Sequence, residues 1–262
     1  MKTINNKTRK TKIITTIGPA SENYSTLGQL ILAGANIFRF NLKHNTIKWH
    51  DEVIERARKV AKQKGKTIQI LIDLPSSSFK KGIDLVVKKK AEYIALSNII
   101  QAEEVTRFIQ IIKEYKLLAS VIVKIETKKA LLNFPTILGE ADAIMVARGD
   151  LGKAIPIEKV PFVQKELILA CNKVEKKVIV ATEMLLSMVN KKEPTRAEIS
   201  DVANAVLEGS NMVMLSEETT IGKYPVAAVK IMNNVILEAE SWKKIGHLEI
   251  FTTKDKKFKF GL

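Results

Sequence analysis

Short β-branched runs, apolar at nearly every position, alternate along the chain with longer segments whose apolar residues recur every three or four positions. The first pattern suits strands buried on both faces of a parallel sheet, and the second suits helices that lay one face against it. Eight strand candidates stand out, at residues 12–16, 36–41, 68–73, 93–96, 121–124, 143–146, 178–182 and 212–215. Helical periodicity fills stretches between them, including 24–32, 47–64, 103–114, 161–175 and 196–207. Thr195 with Glu198 three residues on forms a capping-box pattern, so the segment around it reads as a helix start rather than as chemistry. Eight βα repeats predict a single (β/α)8 TIM barrel over residues 1–240 with a basic extension or tail at 241–262. A doubly wound open sheet is the alternative.

A barrel builds its site from the loops at the carboxyl ends of its strands. Polar side chains cluster there in the sequence: Arg39 and Asn41, Asp73, Lys124 and Glu126, Arg148 and Asp150, Thr182 and Glu183, and Ser216 with Glu218. Lys124 and Glu126 lie two apart, so the strand period points both to the same side. Glu126 and Asp150 end neighbouring segments, and two carboxylates with water and substrate oxygens suit Mg²⁺ (or Mn²⁺). An ion pair between Lys124 and Glu126 is the equally open reading. Gly149 and Gly152 flank Asp150 and let backbone amides approach an anion, or make an ordinary strand-to-helix turn. Thr182 is either a hydroxyl donor at a strand end or a cap for the following turn.

Composition adds three constraints. With 46% hydrophobic residues the chain has a core to bury, which excludes a disordered class. The one cysteine, Cys171, lies in an apolar helical run and reads as core packing; it excludes an intramolecular disulfide framework and fits a reducing, cytoplasmic setting. The net charge of +15 invites a nucleic-acid or anionic-surface reading. With 6% aromatic residues and no recognition motif, the expectation is no nucleic acid and no membrane partner. A positive field would instead steer a small anionic substrate to the mouth.

The motifs TKIITTIGPAS, IFRFNLKH, KIE, ADAIMVARGDLG, PFVQK, PTRAEISDVANAV and MLSEETTIGKYPVAAV follow one another in the order found in the catalytic barrel of pyruvate kinases, which the chain closely resembles over about residues 11–232. The resemblance implies roles. Glu126 and Asp150 match the divalent-metal ligands, and Lys124 matches the lysine that stabilises the transferring phosphoryl group and the enolate. Backbone amides of Gly149 and Asp150, with Thr182, would hold the carboxylate of phosphoenolpyruvate, and Arg39 would meet its phosphate. Asn41 and Asp73 match two ligands of a monovalent, potassium site, and Ser216 matches a hydroxyl tied to proton delivery.

The chain also departs from the family. After Asp73 the sequence runs LPSSSFKKGIDL, without the family's Gly-Pro and Arg, and too few residues precede the next strand to hold the lid domain that closes over the nucleotide. The family's carboxy-terminal domain is not among these residues. Lys43 stands for a Ser and Leu74 for a Thr at the potassium site, so the Lys43 ammonium is expected to replace the ion. Ser97-Asn98-Ile99-Ile100 replaces Ser-Phe-Val-Arg, and Glu217 replaces a Gly.

Three functions follow as expectations. The first is Mg²⁺-dependent phosphoryl transfer between phosphoenolpyruvate and ADP through enolpyruvate. The second is nucleotide-independent enolisation, decarboxylation or carbon–carbon bond chemistry on pyruvate or another 2-oxo acid. The third is a non-catalytic binding protein, against which the retained Lys124, Glu126, Asp150 and Thr182 argue. A homo-oligomer, or a partner chain covering the barrel mouth, is also expected.

Overall fold

The computed structural model describes residues 9–75 and 79–245. Eight parallel strands close into a barrel in sequence order: β1 (Lys12–Thr16), β2 (Ile37–Asn41), β3 (Gln69–Leu74), β4 (Tyr93–Leu96), β5 (Ser120–Ile125), β6 (Ala143–Ala147), β7 (Lys177–Ala181) and β8 (Met212–Leu215). Closure is made by β1 against β8, with Ile13 opposite Val213. The expected single (β/α)8 barrel is the fold, and the expected strands differ from these by no more than one residue at an end.

Helices surround the strands: α1 (Tyr24–Ala33), α2 (Ile47–Gln63), α3 (Phe79–Lys89), α4 (Ala102–Glu114), α5 (Lys128–Leu132), α6 (Phe134–Glu140), α7 (Arg148–Ala154), α8 (Val160–Lys173), α9 (Arg196–Glu208), α10 (Glu217–Thr220) and α11 (Pro225–Ile245). Local chemistry sets their ends. Asn23, Thr46 and Thr127 each accept a hydrogen bond from a backbone N–H in the first turn that follows, satisfying a donor the helix cannot. Gly34 and Gly209, at φ +118° and +107°, end α1 and α9 in the left-handed conformation that glycine adopts without a Cβ penalty. The capping box of Thr195 and Glu198 forms at the start of α9 as the sequence predicts. Glu198 also accepts from the backbone N–H and hydroxyl of Ser187, 2.6 Å each, tying the loop after β7 to that helix. The last helix continues past residue 240 to Ile245, and the rest of the expected tail lies outside the described residues. No helix among the described residues is long and apolar enough to cross a membrane.

Strand parity divides the core. Ile14, Ile37, Leu71, Ala95, Ile122 and Met214 fill the inside of the barrel. Their neighbours Ile13, Phe38, Ile70, Ile94, Val121 and Val213 pack outward against the helices. Burying each such side chain contributes about 1.5–3 kcal/mol, so a strand buried on both faces is held firmly and its ends are fixed points. Cys171 belongs to the outer core, where burial pushes its thiol up to about 12, and packing is its role.

Candidate active site

The inward parity continues past the apolar layer. Two residues beyond Ile14, Ile37, Leu71, Ala95, Ile122 and Met214 come Thr16, Arg39, Asp73, Ser97, Lys124 and Ser216, and Glu126 follows Lys124 by two more. The alternation that fills the barrel with aliphatic side chains therefore carries a polar layer to its mouth. Arg39, Asp73, Lys124 and Glu126 are all buried.

These four form one connected chain of charge. Arg39 donates from Nε (3.0 Å) and a terminal nitrogen (2.7 Å) to Asp73 Oδ2, and from its other terminal nitrogen to Thr16 Oγ1 (3.1 Å). Lys124 Nζ lies 3.5 Å from the same Asp73 oxygen and 2.7 Å from Glu126 Oε1, and donates to Ser97 Oγ at 2.9 Å. Ser97 in turn donates to Asp73 Oδ1 (3.2 Å). Burial alone would raise the Asp73 pKa, but Arg39, Lys124 and the hydrogen bonds from Arg39 and Ser97 together hold it below the ordinary carboxylate range. The second Glu126 oxygen accepts from the backbone N–H of Asn98 (2.8 Å), which fixes the carboxylate at the end of β5.

The next two loops carry the other half of the site. Residues Arg148–Ala154 form α7, so of the two readings of Gly149 and Gly152 the ordinary strand-to-helix turn does not hold: the segment is a short helix with Leu151 buried. The Asp150 carboxylate is partly exposed and meets Lys153 at 3.1 Å. The expected strand end at Thr182 is also corrected: β7 stops at Ala181, and Thr182 and Glu183 adopt φ of +68° and +55°. For a β-branched residue this left-handed conformation costs on the order of 1–3 kcal/mol, and it marks functional sites. Thr182 caps no helix. Its Oγ1 donates to its neighbour's carbonyl at Ala181 (2.6 Å) and accepts from the Gly149 backbone N–H (2.8 Å). The Gly149 amide expected to face an anion thus points at this hydroxyl.

Ser216 completes the mouth on the far side. A cleft of about 380 Å³ is lined by Thr16, Gly18, Arg39, Asn41, His44, Ser216 and Glu217, among others. Among the described residues the buried Ser216 hydroxyl has no hydrogen-bond partner. Beneath it the Glu218 carboxylate, fully buried, accepts from the backbone N–H groups of Ser216 (2.7 Å) and Leu185 (3.0 Å), and burial raises its pKa.

The expected Lys43 replacement of potassium is corrected. Lys43 is exposed, its backbone N–H donates to Asn41 Oδ1 (3.1 Å), and the ammonium beside Asp73 belongs to Lys124. The residues present do not fit a potassium ion. Leu74 and Lys43 bring no hydroxyl oxygen, Asn41 and Asp73 are already engaged, and two cationic side chains face Asp73. A divalent ion fits better. Among the described residues no three His, Cys, Asp or Glu side chains gather as a cage. Mg²⁺ needs only one or two carboxylates and takes its other oxygens from water and substrate, so Glu126 just after β5 and Asp150 in α7 after the neighbouring β6 remain candidates to hold it.

Sequence reasoning missed Thr16 and Ser97 as members of this site, and it placed Arg148 at a strand end without its partners. Counting by two from the aliphatic layer would have found the first two.

An eight-stranded α/β barrel with a layer of buried opposite charges at the carboxyl ends of its strands is the frame of a barrel enzyme. The sequence pattern of the pyruvate kinase barrel domain matches residues 8–83 and 72–229, and the chain belongs to the pyruvate kinase family. It is 31% identical to the pyruvate kinase of Thermococcus litoralis, covering 90% of this chain and 70% of that one. Against the pyruvate kinase of Staphylococcus aureus the identity is 32%, covering 89% of this chain and 57% of the relative. A crystal structure of a pyruvate kinase from Cryptosporidium parvum superposes with a TM-score of 0.86 at 29% identity, covering 89% of this chain and 70% of that one. Both sequence alignments run over 335 positions against 262 residues here, so the relatives carry inserted residues that this chain lacks. The two matched stretches of the family pattern meet around residues 72–83, where the connection from β3 to α3 is short.

Proposed function

We propose that the protein is a Mg²⁺-dependent, pyruvate-kinase-like enzyme of the cytoplasm whose substrates are phosphoenolpyruvate and pyruvate. The observation that carries this reading is the buried Arg39–Asp73–Lys124–Glu126 chain at the barrel mouth, with Gly149 and Thr182 joined to each other after the next two strands, β6 and β7. Glu126 and Asp150 would hold the divalent ion, which when bound polarises the carboxylate and keto oxygens of a 2-oxo acid. Thr182 Oγ1 and the amides of the first turn of α7 orient the substrate carboxylate. Lys124 stabilises negative charge on the developing enolate oxygen, and its position is fixed from three sides by Glu126, Asp73 and Ser97. Arg39, braced by Asp73 and Thr16, offers positive charge to a phosphate in the cleft it lines. Ser216, its backbone N–H held by the buried Glu218 carboxylate, would deliver a proton to the enolate carbon.

The short connection after β3 supports a second reading, in which the same half-site acts on pyruvate or a related 2-oxo acid without a nucleotide. Phosphoryl transfer relies on a closed, water-excluding site, whereas enolisation needs less enclosure. The two separate in one experiment. Pyruvate methyl protons are followed by NMR in deuterium oxide with Mg²⁺, and a coupled assay measures pyruvate formed from phosphoenolpyruvate and ADP. Methyl exchange with product formation supports the kinase, exchange alone supports the nucleotide-free enzyme, and neither signal overturns both.

The same assays test the cation. Activity is expected to stay flat when K⁺ replaces a non-coordinating cation at constant ionic strength, because Arg39 and Lys124 already neutralise Asp73. A steep rise with K⁺ would contradict that account.

A further inference from the structure

One side chain joins α7 to the loop after β7 and to the helices α8 and α9. Arg148, at the start of α7, is buried. Its guanidinium donates to the Thr182 carbonyl from Nε (3.2 Å) and one terminal nitrogen (2.7 Å), and that nitrogen also donates to the Glu183 carbonyl (3.0 Å). Its other terminal nitrogen donates to both oxygens of Asp201 on α9, at 2.7 and 2.6 Å, and reaches Gln164 on α8 at 3.4 Å. Thr182 and Glu183 are the consecutive non-glycine residues held at positive φ. Their carbonyls point to the same side in that conformation, and a planar fork of donors is what can bind both.

We infer that Arg148 is a positioning residue for the anion-binding edge of the site: it clamps Thr182 and Glu183 in the left-handed conformation and thereby sets the Thr182 hydroxyl against the Gly149 amide. With its charge spent on Asp201 and its donors on two carbonyls, Arg148 does not meet the substrate. Its effect passes through Thr182. The inference rests on the reading of Thr182 and Gly149 as the carboxylate-binding edge, and it has a readout that does not need that reading.

The test compares the full chain with Arg148→Lys, which keeps the charge but loses the fork, and with Arg148→Lys/Glu183→Gly, in which glycine accepts positive φ without a Cβ. Hydrogen exchange of the Gly149 amide is measured beside that of strand amides in β6, and pyruvate affinity is measured by calorimetry with Mg²⁺. In Arg148→Lys, Gly149 exchange is expected to speed up and pyruvate affinity to fall by about tenfold each, the worth of one charge-assisted hydrogen bond. The β6 amides keep their rates, and the glycine restores most of both losses. Unchanged Gly149 exchange, equal acceleration in β6, or failure of the glycine to restore anything overturns the inference. If Arg148→Lys does not fold, Asp201→Asn loosens the same clamp from its partly exposed end and should shift Gly149 in the same direction; no shift counts against the clamp. Should the unaltered protein bind no pyruvate while Gly149 responds as expected, the substrate reading fails and the clamp stands.

Discussion

Replacing Glu126 with Gln is expected to lower Mg²⁺-dependent turnover, whether read as methyl exchange or as pyruvate formation, by on the order of 10²-fold or more. The substitution keeps the shape of the side chain but only one of its two accepted hydrogen bonds, since an amide nitrogen cannot accept from the Lys124 ammonium or the Asn98 N–H, and it removes the negative charge that a hard divalent ion requires. Stability should fall as well, because Lys124 then keeps only Ser97 and an Asp73 that it shares with Arg39, so turnover is compared at a temperature where both proteins are folded. Calorimetry would show Mg²⁺ binding lost or greatly weakened in the same variant. Turnover equal to that of the unaltered protein at saturating Mg²⁺ would remove Glu126 from the metal site. Asp150→Asn is the companion: its carboxylate is partly exposed and paired only with Lys153, so a loss of Mg²⁺ binding there would reflect the ion and not the fold.

The contrast between these carboxylates shows how much the sequence discloses. A period of two along apolar strands is a strong signal, and it places Lys124 and Glu126 on the inner side of β5, as their 2.7 Å contact requires. Register between β2 and β3 sets Asp73 beside Asn41, and the long Arg39 side chain reaches it from two residues earlier on β2. The reasoning loses its hold where the strand ends. Lys43 lies only two residues from Asn41, yet beyond β2 the alternation no longer applies, and its side chain turns to solvent while a lysine 81 residues further along takes the place beside Asp73. Thr182 gives no warning of its left-handed backbone, since positive φ is expected at glycine or asparagine and is imposed here by tertiary contacts. The partners of Arg148 lie 34, 35 and 53 residues away, so no local pattern could reveal the clamp. The short helix α7 was hidden for a related reason: its two glycines suggest an anion-binding loop or a turn, and the helix buries Leu151, which no local pattern announces.

The largest effect on stability is expected at Asp73, and it follows from charge rather than shape. Its side chain is 2% exposed and faces Arg39 and Lys124, which are 8% and 10% exposed. Asp73→Asn leaves two buried cations with Glu126 as the remaining acidic partner. Breaking a buried pair in this way costs about 3–5 kcal/mol, because the stranded charges cannot regain their hydration. In urea the unfolding midpoint at neutral pH should fall by roughly 1 M or more, given slopes of about 1–3 kcal/mol per molar. The loss should depend on pH with a definite sign. Folding holds the Asp73 pKa below its ordinary value near 3.8, so the native protein binds this proton less readily than the unfolded chain. The stabilisation is then fully present above that value and disappears as pH falls through the lower, folded one. The gap between the unaltered protein and Asp73→Asn should be widest at neutral pH and narrow on acidification below about pH 4. An equal midpoint at neutral pH, or a gap that stays constant down to pH 3, would mean that Asp73 is not the counter-charge on which Arg39 and Lys124 depend. Arg39→Lys separates the two cations: it keeps the charge but cannot donate twice to one carboxylate oxygen, so it should lose part of the same stability and weaken phosphate binding in the cleft.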